Sequence, residues 1–297
     1  MVRRKLILVG QVIAVIGANS QLGKCFINKT THKIEAFSSN SLNLLEFNKI
    51  EELFQPKLYD AVLNFSAFND VEDAENNNNA LILNHLVVDK ISALCSASNV
   101  FFIHISTDYV FDGTKPLNDE SQKPNPINKY GLSKLLGEQS VVKNCTKYII
   151  IRTSWLYSHY KSPSNFLFNI KSLLDSDSDT LYGAIDSFGS PTSALNLAEG
   201  IERVLKKFFI SSVKYGVYHF ADIGNVSRFI FLKRIIDELS MAENLNRKVI
   251  KEVQNSYFQL RAPRPLNTSL NCKKFAKEFQ YKFESWDNAL VKTIKKL

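Results

Sequence analysis

The stretch VIAVIGANSQLGK, residues 12–24, is the feature that most narrows the folds open to this chain. Its β-branched run from Val12 to Ile16 predicts a buried strand, which leads directly into a glycine turn and then a helical segment. Backbone N–H groups of such a turn can face a phosphate. A tight turn without a ligand is the alternative. We expect the turn to hold the pyrophosphate of a dinucleotide through Gly17, Asn19, Ser20, Gln21, Leu22 and Gly23.

The same opening permits a second interpretation. The basic residues Arg3 to Lys5 precede an apolar run that begins at Leu6, which is the pattern of a secretory signal. Cleavage after Ala18 would remove the predicted first strand and split the glycine turn. We therefore expect a cytoplasmic protein in which residues 1–11 form a dispensable extension.

Short apolar runs alternate with segments of helical period from Val12 onward. The runs VIAVIG, KIEAF, AVLNFSA, VFFIHIST and YIIIRTS suit buried parallel strands, and amphipathic helical segments separate them. This alternation predicts a Rossmann-like α/β fold, a doubly wound parallel sheet, over residues 12–156. Past Tyr157 the sequence changes to a mixture of helical and strand-like segments. Residues 157–297 are expected to form a smaller C-terminal substrate-binding lobe, with segments that return to the Rossmann domain.

Composition excludes several classes of function. The formal net charge is +8, but the basic residues are scattered, so no nucleic-acid partner is expected. The four cysteines have no metal-ligand spacing, so neither a disulfide nor a metal site is expected. After residue 23 no apolar run approaches the roughly 20 residues of a membrane span, which predicts no membrane partner. The sequence leaves a homodimer open.

Two motifs further along the chain can carry chemistry. HISTDYVFDG begins at His104, and YGLSK covers residues 130–134. On a helix, Tyr130 and Lys134 lie one turn apart on the same face. A lysine ammonium there would lower the pKa of the phenol and make Tyr130 a usable proton donor to a carbonyl oxygen. Thr107, at the end of a strand, would add a hydroxyl beside that oxygen. Together these groups suit the reduction of a ketone by a nicotinamide hydride.

The predicted second strand bears on the choice of nicotinamide. An acidic residue at its end holds the ribose of NAD, whereas a basic one accommodates the phosphate of NADP. Here the strand ends in Phe37-Ser38-Ser39-Asn40, which carries neither charge. Because Ser38 lacks a carboxylate that would repel the phosphate, NADPH is favoured over NADH, and both stay open.

Six motifs, in chain order, resemble those of one known family. They are GANSQLG, NFSAFNDVEDAE, HISTDYVFDG, PINKYGLSKLLGE, IIRTSWLY and GSPTS. Together they resemble the dTDP-4-dehydrorhamnose reductase family within the extended short-chain dehydrogenases/reductases. The resemblance implies an NAD(P)H-dependent reductase of the 4-keto group of a nucleotide-linked 6-deoxy sugar. The implied conversion is that of dTDP-4-dehydro-L-rhamnose to dTDP-L-rhamnose, for surface polysaccharide synthesis.

The resemblance also implies roles for individual residues. Thr107, Tyr130 and Lys134 match the family's catalytic triad, and Tyr130 and Lys134 also contact the cofactor. The implied cofactor contacts beyond the glycine turn are Asn43, Leu44, Ala67, Phe68 and Asn69, and they add to Ser38 at the end of the predicted second strand. The implied substrate contacts are Val71, Thr107, Asp108 and Trp155, whose indole suits the apolar side of a deoxyhexose.

Departures from the family pattern leave alternatives open. The family usually has a glycine where this chain has Ser20, and its second-strand and NAAAYTAVDKAE motifs have also drifted here. A reductase of a UDP- or GDP-linked keto sugar is one alternative. A non-catalytic regulatory subunit, similar to the β subunit of methionine adenosyltransferase, is another, but the intact Tyr130 and Lys134 argue against it.

Overall fold

The computed structural model describes residues 11–54, 59–175, 180–243 and 248–297. Residues 1–10, which make up nearly all of the extension predicted to be dispensable, lie outside the described residues. The strands are β1 Val12–Ile16, β2 Lys33–Phe37, β3 Ala61–Asn64, β4 Phe101–Thr107, β5 Tyr148–Thr153, β6 Leu156–Tyr157, β7 Thr180–Ala184, β8 Phe188–Gly189, β9 Thr192–Ser193, β10 Gly216–His219, β11 Val226–Ser227 and β12 Val249–Val253. The helices are α1 Gln21–Ile27, α2 Phe47–Glu52, α3 Asn79–Leu81, α4 Val87–Ala97, α5 Lys129–Asn144, α6 Phe166–Leu174, α7 Ala194–Ile210, α8 Arg228–Glu243, α9 Lys273–Phe279 and α10 Trp286–Ile294.

A six-stranded parallel sheet forms the centre of the molecule. Its strand order is β2-β1-β3-β4-β5-β10. From β1 the chain passes to β2 on one side and then to β3 on the other, so the direction of winding reverses at β1. Ligands of open parallel sheets bind at the carboxyl ends of the strands beside such a reversal. The predicted Rossmann-like α/β fold is confirmed.

Apolar side chains cover both faces of this sheet. On one face, alternate strand residues, such as Ile13 and Ile103, pack with α1, α7 and α9. On the other face, their neighbours, such as Ala14 and Phe102, pack with α2, α4 and α5. This alternation follows from the two-residue period of a strand. Each fully buried large apolar side chain contributes about 1.5–3 kcal/mol, so the two layers stabilise the sheet whose strand ends border the cleft.

One apolar stretch departs from the expectation that no run after residue 23 approaches the length of a membrane span. Asn79–Ala97 forms a nearly continuous helical stretch whose length and mean hydropathy of 1.4 meet the criteria for a membrane span. Its apolar residues Val87, Val88, Ile91 and Cys95 are fully buried against the sheet. One face of the stretch therefore packs in the core, whereas Leu81 and Leu86 are each 43% exposed.

The C-terminal part of the chain contributes to two cores. β10 joins the central sheet beside β5, and α7 and α9 pack on that sheet. The remaining helices of this part, α6, α8 and α10, share a separate core around Phe231 and Leu290. There β12 pairs with β7. The division into domains at residue 156 stays a prediction.

Candidate active site

A cleft runs along the carboxyl ends of the sheet strands. It consists of two adjoining cavities of about 330 and 300 Å³, which share the lining residues Ser20, Phe65, Ser66, Ala67 and Asn69. The larger cavity reaches the end of β4 and α5, and the smaller one reaches the end of β2. A ligand can therefore extend from the end of β2 past the glycine turn to α5.

The glycine turn lies at the middle of the cleft. Gly17 has φ +86°, and a Cβ there would lie 2.6 Å from the backbone nitrogen of Ser66. A Cβ at Gly23 would lie 2.4 Å from the carbonyl oxygen of Gly17. Both positions therefore require glycine. The Ser20 hydroxyl accepts a hydrogen bond from Gly23 N at 3.0 Å and caps α1, while Ser20 also lines both cavities.

The cavity at the end of β2 has an uncharged lining. The predicted contacts Gly17, Asn19, Ser38, Asn43 and Leu44 all line it, and its lining residues include no charged side chain. The backbone of the glycine turn suits a pyrophosphate. The apolar wall and the hydroxyl groups at its rim suit an adenosine, so the cavity fits these two parts of a dinucleotide. Without a carboxylate, this end offers nothing that would repel a 2′-phosphate.

The three predicted catalytic residues meet in the larger cavity. Thr107 ends β4, and its hydroxyl donates to Asp108 Oδ1 at 3.2 Å. Tyr130 and Lys134 lie in the first turns of α5, which begins where Asn128 Oδ1 accepts from the backbone N–H of Gly131 at 2.8 Å. The close approach of α5 to the end of β4 depends on Gly131, where a Cβ would lie 2.2 Å from the carbonyl oxygen of Tyr109.

The electrostatics of this set differ from the sequence prediction. Lys134 is 2% exposed, and its Nζ donates to the carbonyl oxygen of Ile105 at 2.7 Å. Burial lowers the pKa of Lys134 to about 8, and Glu138 opposes this. Burial also raises the pKa of Tyr130 above its usual value, while Thr107 opposes the rise. The prediction that Lys134 lowers the pKa of the phenol is wrong for this structure, because burial is the largest effect and the ammonium binds Ile105 instead. The raised pKa keeps Tyr130 protonated, as a proton donor must be.

A buried ion pair that the sequence reasoning missed lies beneath the catalytic residues. Glu138 accepts from Arg152 Nε at 2.9 Å and from Arg152 Nη2 at 2.6 Å. The Ser106 hydroxyl donates to the same carboxylate. Thus α5, β4 and β5 are tied together one helical turn from Lys134. Glu138 and Arg152 both lie within motifs that carried the resemblance, which was the available signal.

A second missed residue, Asn84, supports the floor of the cleft. It lies in a π-helical turn, Ile82–Leu86, an irregularity that is frequent at functional sites. Its side chain exchanges two hydrogen bonds with the backbone of Phe68, at 2.9 and 3.0 Å, and donates to Ser133 Oγ at 3.0 Å. Phe68 itself lines neither cavity, so the structure does not bring this predicted cofactor contact into the cleft.

The predicted substrate contacts are only partly brought together. Asp108 and Trp155 line the larger cavity, whereas Val71 lines neither cavity. Asp108 is buried, which raises its pKa, and it accepts from Ser154 Oγ at 2.7 Å. Trp155 has φ +44°, and the guanidinium carbon of Arg228 lies 3.5 Å from its ring centroid. One face of the indole is therefore already occupied by an arginine that the sequence analysis did not single out.

Gly23 lines neither cavity. It allows the close approach to the Gly17 carbonyl oxygen, and its backbone N–H donates to the Ser20 hydroxyl that caps α1. Within the part of the chain that the structure describes, no group of three or more His, Cys, Asp or Glu side chains could hold a metal ion.

The fold and the cleft define an enzyme class. A parallel Rossmann-like sheet, a glycine turn after β1, and a Tyr-x-x-x-Lys pair on α5 characterise an oxidoreductase of the extended short-chain dehydrogenase/reductase type. The model of the RmlD substrate binding domain family matches residues 11–297. The chain therefore belongs to the dTDP-4-dehydrorhamnose reductase family.

Individual relatives agree with this assignment. The dTDP-4-dehydrorhamnose reductase of Salmonella typhimurium (strain LT2) is 30% identical over 231 residues, which cover 77% of this chain and 76% of that protein. The spore coat polysaccharide biosynthesis protein SpsK of Bacillus subtilis is 29% identical, with coverages of 87% and 88%. The crystal structure of dTDP-4-dehydrorhamnose reductase from Bacillus anthracis in complex with NADP superimposes with a TM-score of 0.87 at 27% identity, covering 97% of this chain and 99% of that one.

Proposed function

We propose that this protein reduces the 4-keto group of dTDP-4-dehydro-L-rhamnose to give dTDP-L-rhamnose, with NADPH or NADH, for surface polysaccharide synthesis. The observation that carries the proposal is the convergence of Thr107, Tyr130 and Lys134 in one cleft with the glycine turn. Membership of the family supports the substrate, and similarity to the spore coat polysaccharide biosynthesis protein SpsK supports the polysaccharide context.

The catalytic residues can divide the reaction between them. Bound NAD(P)H supplies the hydride for the carbonyl carbon. Tyr130 donates its phenolic proton to the carbonyl oxygen, and Thr107 supplies a hydroxyl that hydrogen-bonds the same oxygen. Lys134, held by the Ile105 carbonyl, contributes a positive charge beside the developing alkoxide and tyrosinate.

The remaining residues would bind the two ligands. We assign the cofactor pyrophosphate to the glycine turn and its adenosine to the uncharged cavity around Ser38, Asn43 and Leu44, with NADPH preferred. Asp108 and Trp155 would contact the sugar. A cytoplasmic location and a homodimer remain predictions, and the homodimer can be tested by light scattering of the purified protein.

The test is turnover by the purified protein. With dTDP-4-dehydro-L-rhamnose and either nicotinamide, we expect loss of absorbance at the nicotinamide band and formation of dTDP-L-rhamnose. Turnover of a UDP- or GDP-linked 4-keto sugar instead would support the alternative substrate class. If the protein binds NADPH but reduces none of these sugars, the proposed catalytic function is wrong, and a regulatory subunit becomes the better explanation.

A further inference from the structure

A third cavity lies outside the cleft, between α1, the loop after β6, the start of α7 and the end of α10. Its volume is about 590 Å³, against about 330 and 300 Å³ for the two cavities of the cleft. None of the residues that line it lines the cleft. A cavity of this size is in the range of small-molecule sites. The proposed reaction makes no use of it.

Positive charge prevails in the lining of this third cavity. Its charged residues, among those that the structure describes, are one carboxylate, Glu199, and four lysines, Lys29, Lys292, Lys295 and Lys296. Lys29 and Glu199 form an ion pair at 3.1 Å, and Lys292 is paired with Glu284 at 2.5 Å. Neither Lys295 nor Lys296 forms an ion pair with another described residue. Two positive charges at the cavity are therefore left without a counter-charge.

The ammonium group of Lys296 acts on two different elements that line the cavity. Burial raises the pKa of Cys25, on α1, to about 12, and the charge of Lys296 opposes the rise. Burial lowers the pKa of His159, in the loop after β6, and Lys296 lowers it further. His159 is therefore neutral at pH 7, and the field of the lysine extends across the cavity from α1 to this loop.

The imidazole of His159 offers a hydrogen-bond donor at the same place. Its Nδ1 is buried and has no partner among the described residues. A buried lone pair without a partner is tolerated better than a buried N–H group without one, so we assign the proton of the neutral ring to Nε2. Nε2 is then the ring nitrogen that can donate to a ligand in the cavity.

The loop after β6 gives the cavity a fixed aromatic wall. The rings of His159 and Tyr160 pack on each other, with 4.0 Å between centroids. The phenol oxygen of Tyr160 accepts a hydrogen bond from the side-chain amide of Asn28 on α1, and its backbone carbonyl accepts from Asn165 Nδ2 at 2.8 Å. The Ser158 hydroxyl donates to Gln21 Oε1 at 3.0 Å. These bonds hold the two rings beside the lysines.

We propose that the third cavity binds a phosphorylated organic molecule. Its phosphate would lie at Lys295, Lys296 and His159 Nε2, and its apolar part against the rings of His159 and Tyr160. A phosphate group carries about −1.5 to −2 charges at neutral pH, which matches the two uncompensated lysines. The aromatic wall and the volume of about 590 Å³ leave room for an organic group besides the phosphate.

Calorimetry in a phosphate-free buffer tests this site, with phenyl phosphate and inorganic phosphate as probes. We expect phenyl phosphate to bind with a Kd below about 1 mM, and inorganic phosphate roughly tenfold more weakly because it leaves the rings uncovered. Saturation with NADPH should change neither affinity more than about twofold, since the cavity is separate from the cleft. Displacement of phenyl phosphate by NADPH, or equal affinities for the two probes, would overturn the proposal.

Variants identify the residues that hold the phosphate. The double variant Lys295→Gln/Lys296→Gln should weaken binding of phenyl phosphate roughly fivefold to thirtyfold, because it removes two exposed ammonium groups from the site. Lys206→Gln/Lys277→Gln removes the same charge at exposed positions outside the cavity and should stay within about twofold of wild type. Equal losses in the two double variants would overturn the proposal in favour of a general effect of net charge.

A structural role for the two lysines is the alternative. Both lie at the C-terminal end of α10, where a helix favours positive charge. His159→Phe distinguishes the two explanations, because it keeps a ring against Tyr160 but removes Nε2, and it should weaken binding of phenyl phosphate roughly threefold to tenfold. Wild-type affinity in both His159→Phe and the lysine double variant would overturn the proposal. Reduction of a sugar nucleotide does not enter this test, so the cavity and the proposed function succeed or fail separately.

Discussion

The two ends of the cleft are built differently. The catalytic end is buried and charged: Lys134, Glu138 and Arg152 are each less than 5% exposed and are joined to backbone or to each other. The end near β2 has no charged side chain in its lining, and Ser38 bonds only locally, its N–H donating to Ser41 Oγ at 2.9 Å. The catalytic end is thus built from packed helices and strands, whereas the end near β2 is a surface turn.

This difference explains where the sequence can drift. A change at the catalytic end breaks buried hydrogen bonds between α5, β4 and β5, so it alters rate or stability strongly. A change in the turn after β2 alters only contacts to a ligand. The departures from the family pattern at Ser20 and in the second strand lie at or near this end, whereas the drifted stretch NFSAFNDVEDAE also includes Ala67 and Asn69, which line both cavities.

The largest expected effect is on the rate at the catalytic end. Tyr130→Phe removes the proton donor, and kcat should fall roughly 10²- to 10⁴-fold. Binding of NADPH, followed by nicotinamide fluorescence, should change less than about twofold. Tyr215→Phe, at a residue 40% exposed and outside the cleft, is the control and should retain wild-type kcat. Unchanged turnover in Tyr130→Phe would show that another group donates the proton.

Loss of the buried ion pair should mainly reduce stability. Glu138→Gln leaves the Arg152 guanidinium without a buried counter-charge, and the free energy of unfolding in urea should drop by about 3–5 kcal/mol. Glu51→Gln, which removes the exposed partner of Lys90, should cost less than about 1 kcal/mol. Equal costs for the two variants would contradict the distinction between the buried and exposed regions.

The lowered pKa of Lys134 predicts a dependence of stability on pH. Below pH 8 the Lys134 side chain holds its proton in both the folded and the unfolded chain. Between about 8 and the usual value of 10.5 the unfolded chain alone holds it, so the free energy of unfolding rises with pH. Relative to Lys134→Met, wild-type stability should rise by about 2 kcal/mol from pH 7.5 to 9.5. Parallel pH profiles of the two proteins would show that Lys134 titrates normally.

The smallest effect is expected at the cofactor end. Ser38→Asp places a carboxylate where it would repel a 2′-phosphate and accept from ribose hydroxyls. KM for NADPH should rise roughly tenfold, while KM for NADH stays level or falls and kcat is unchanged. Ser38→Ala controls for loss of the hydroxyl. Equal shifts for both nicotinamides would place the adenosine elsewhere in the cleft.

Much of the catalytic centre could be predicted because it depends on local spacing. The i, i+4 relation of Tyr130 and Lys134 needs only a helix, and Thr107 needs only a strand that ends beside it. The pKa values of these side chains could not be predicted in the same way. The raised pKa of Tyr130 and the lowered pKa of Lys134 arise from burial, which depends on the whole packed structure.

The sequence by itself determined the glycine turn, the order of strands and helices, and the residue types of the proton donor and its partners, because each follows from periodicity or from a motif within a short segment. Only the tertiary structure decided which distant residues meet. Arg264 and Glu72, 192 positions apart, form an ion pair beside Tyr109, and Arg228 from α8 covers Trp155. Such contacts depend on how the lobe packs against the sheet, and no local pattern in the chain records that packing.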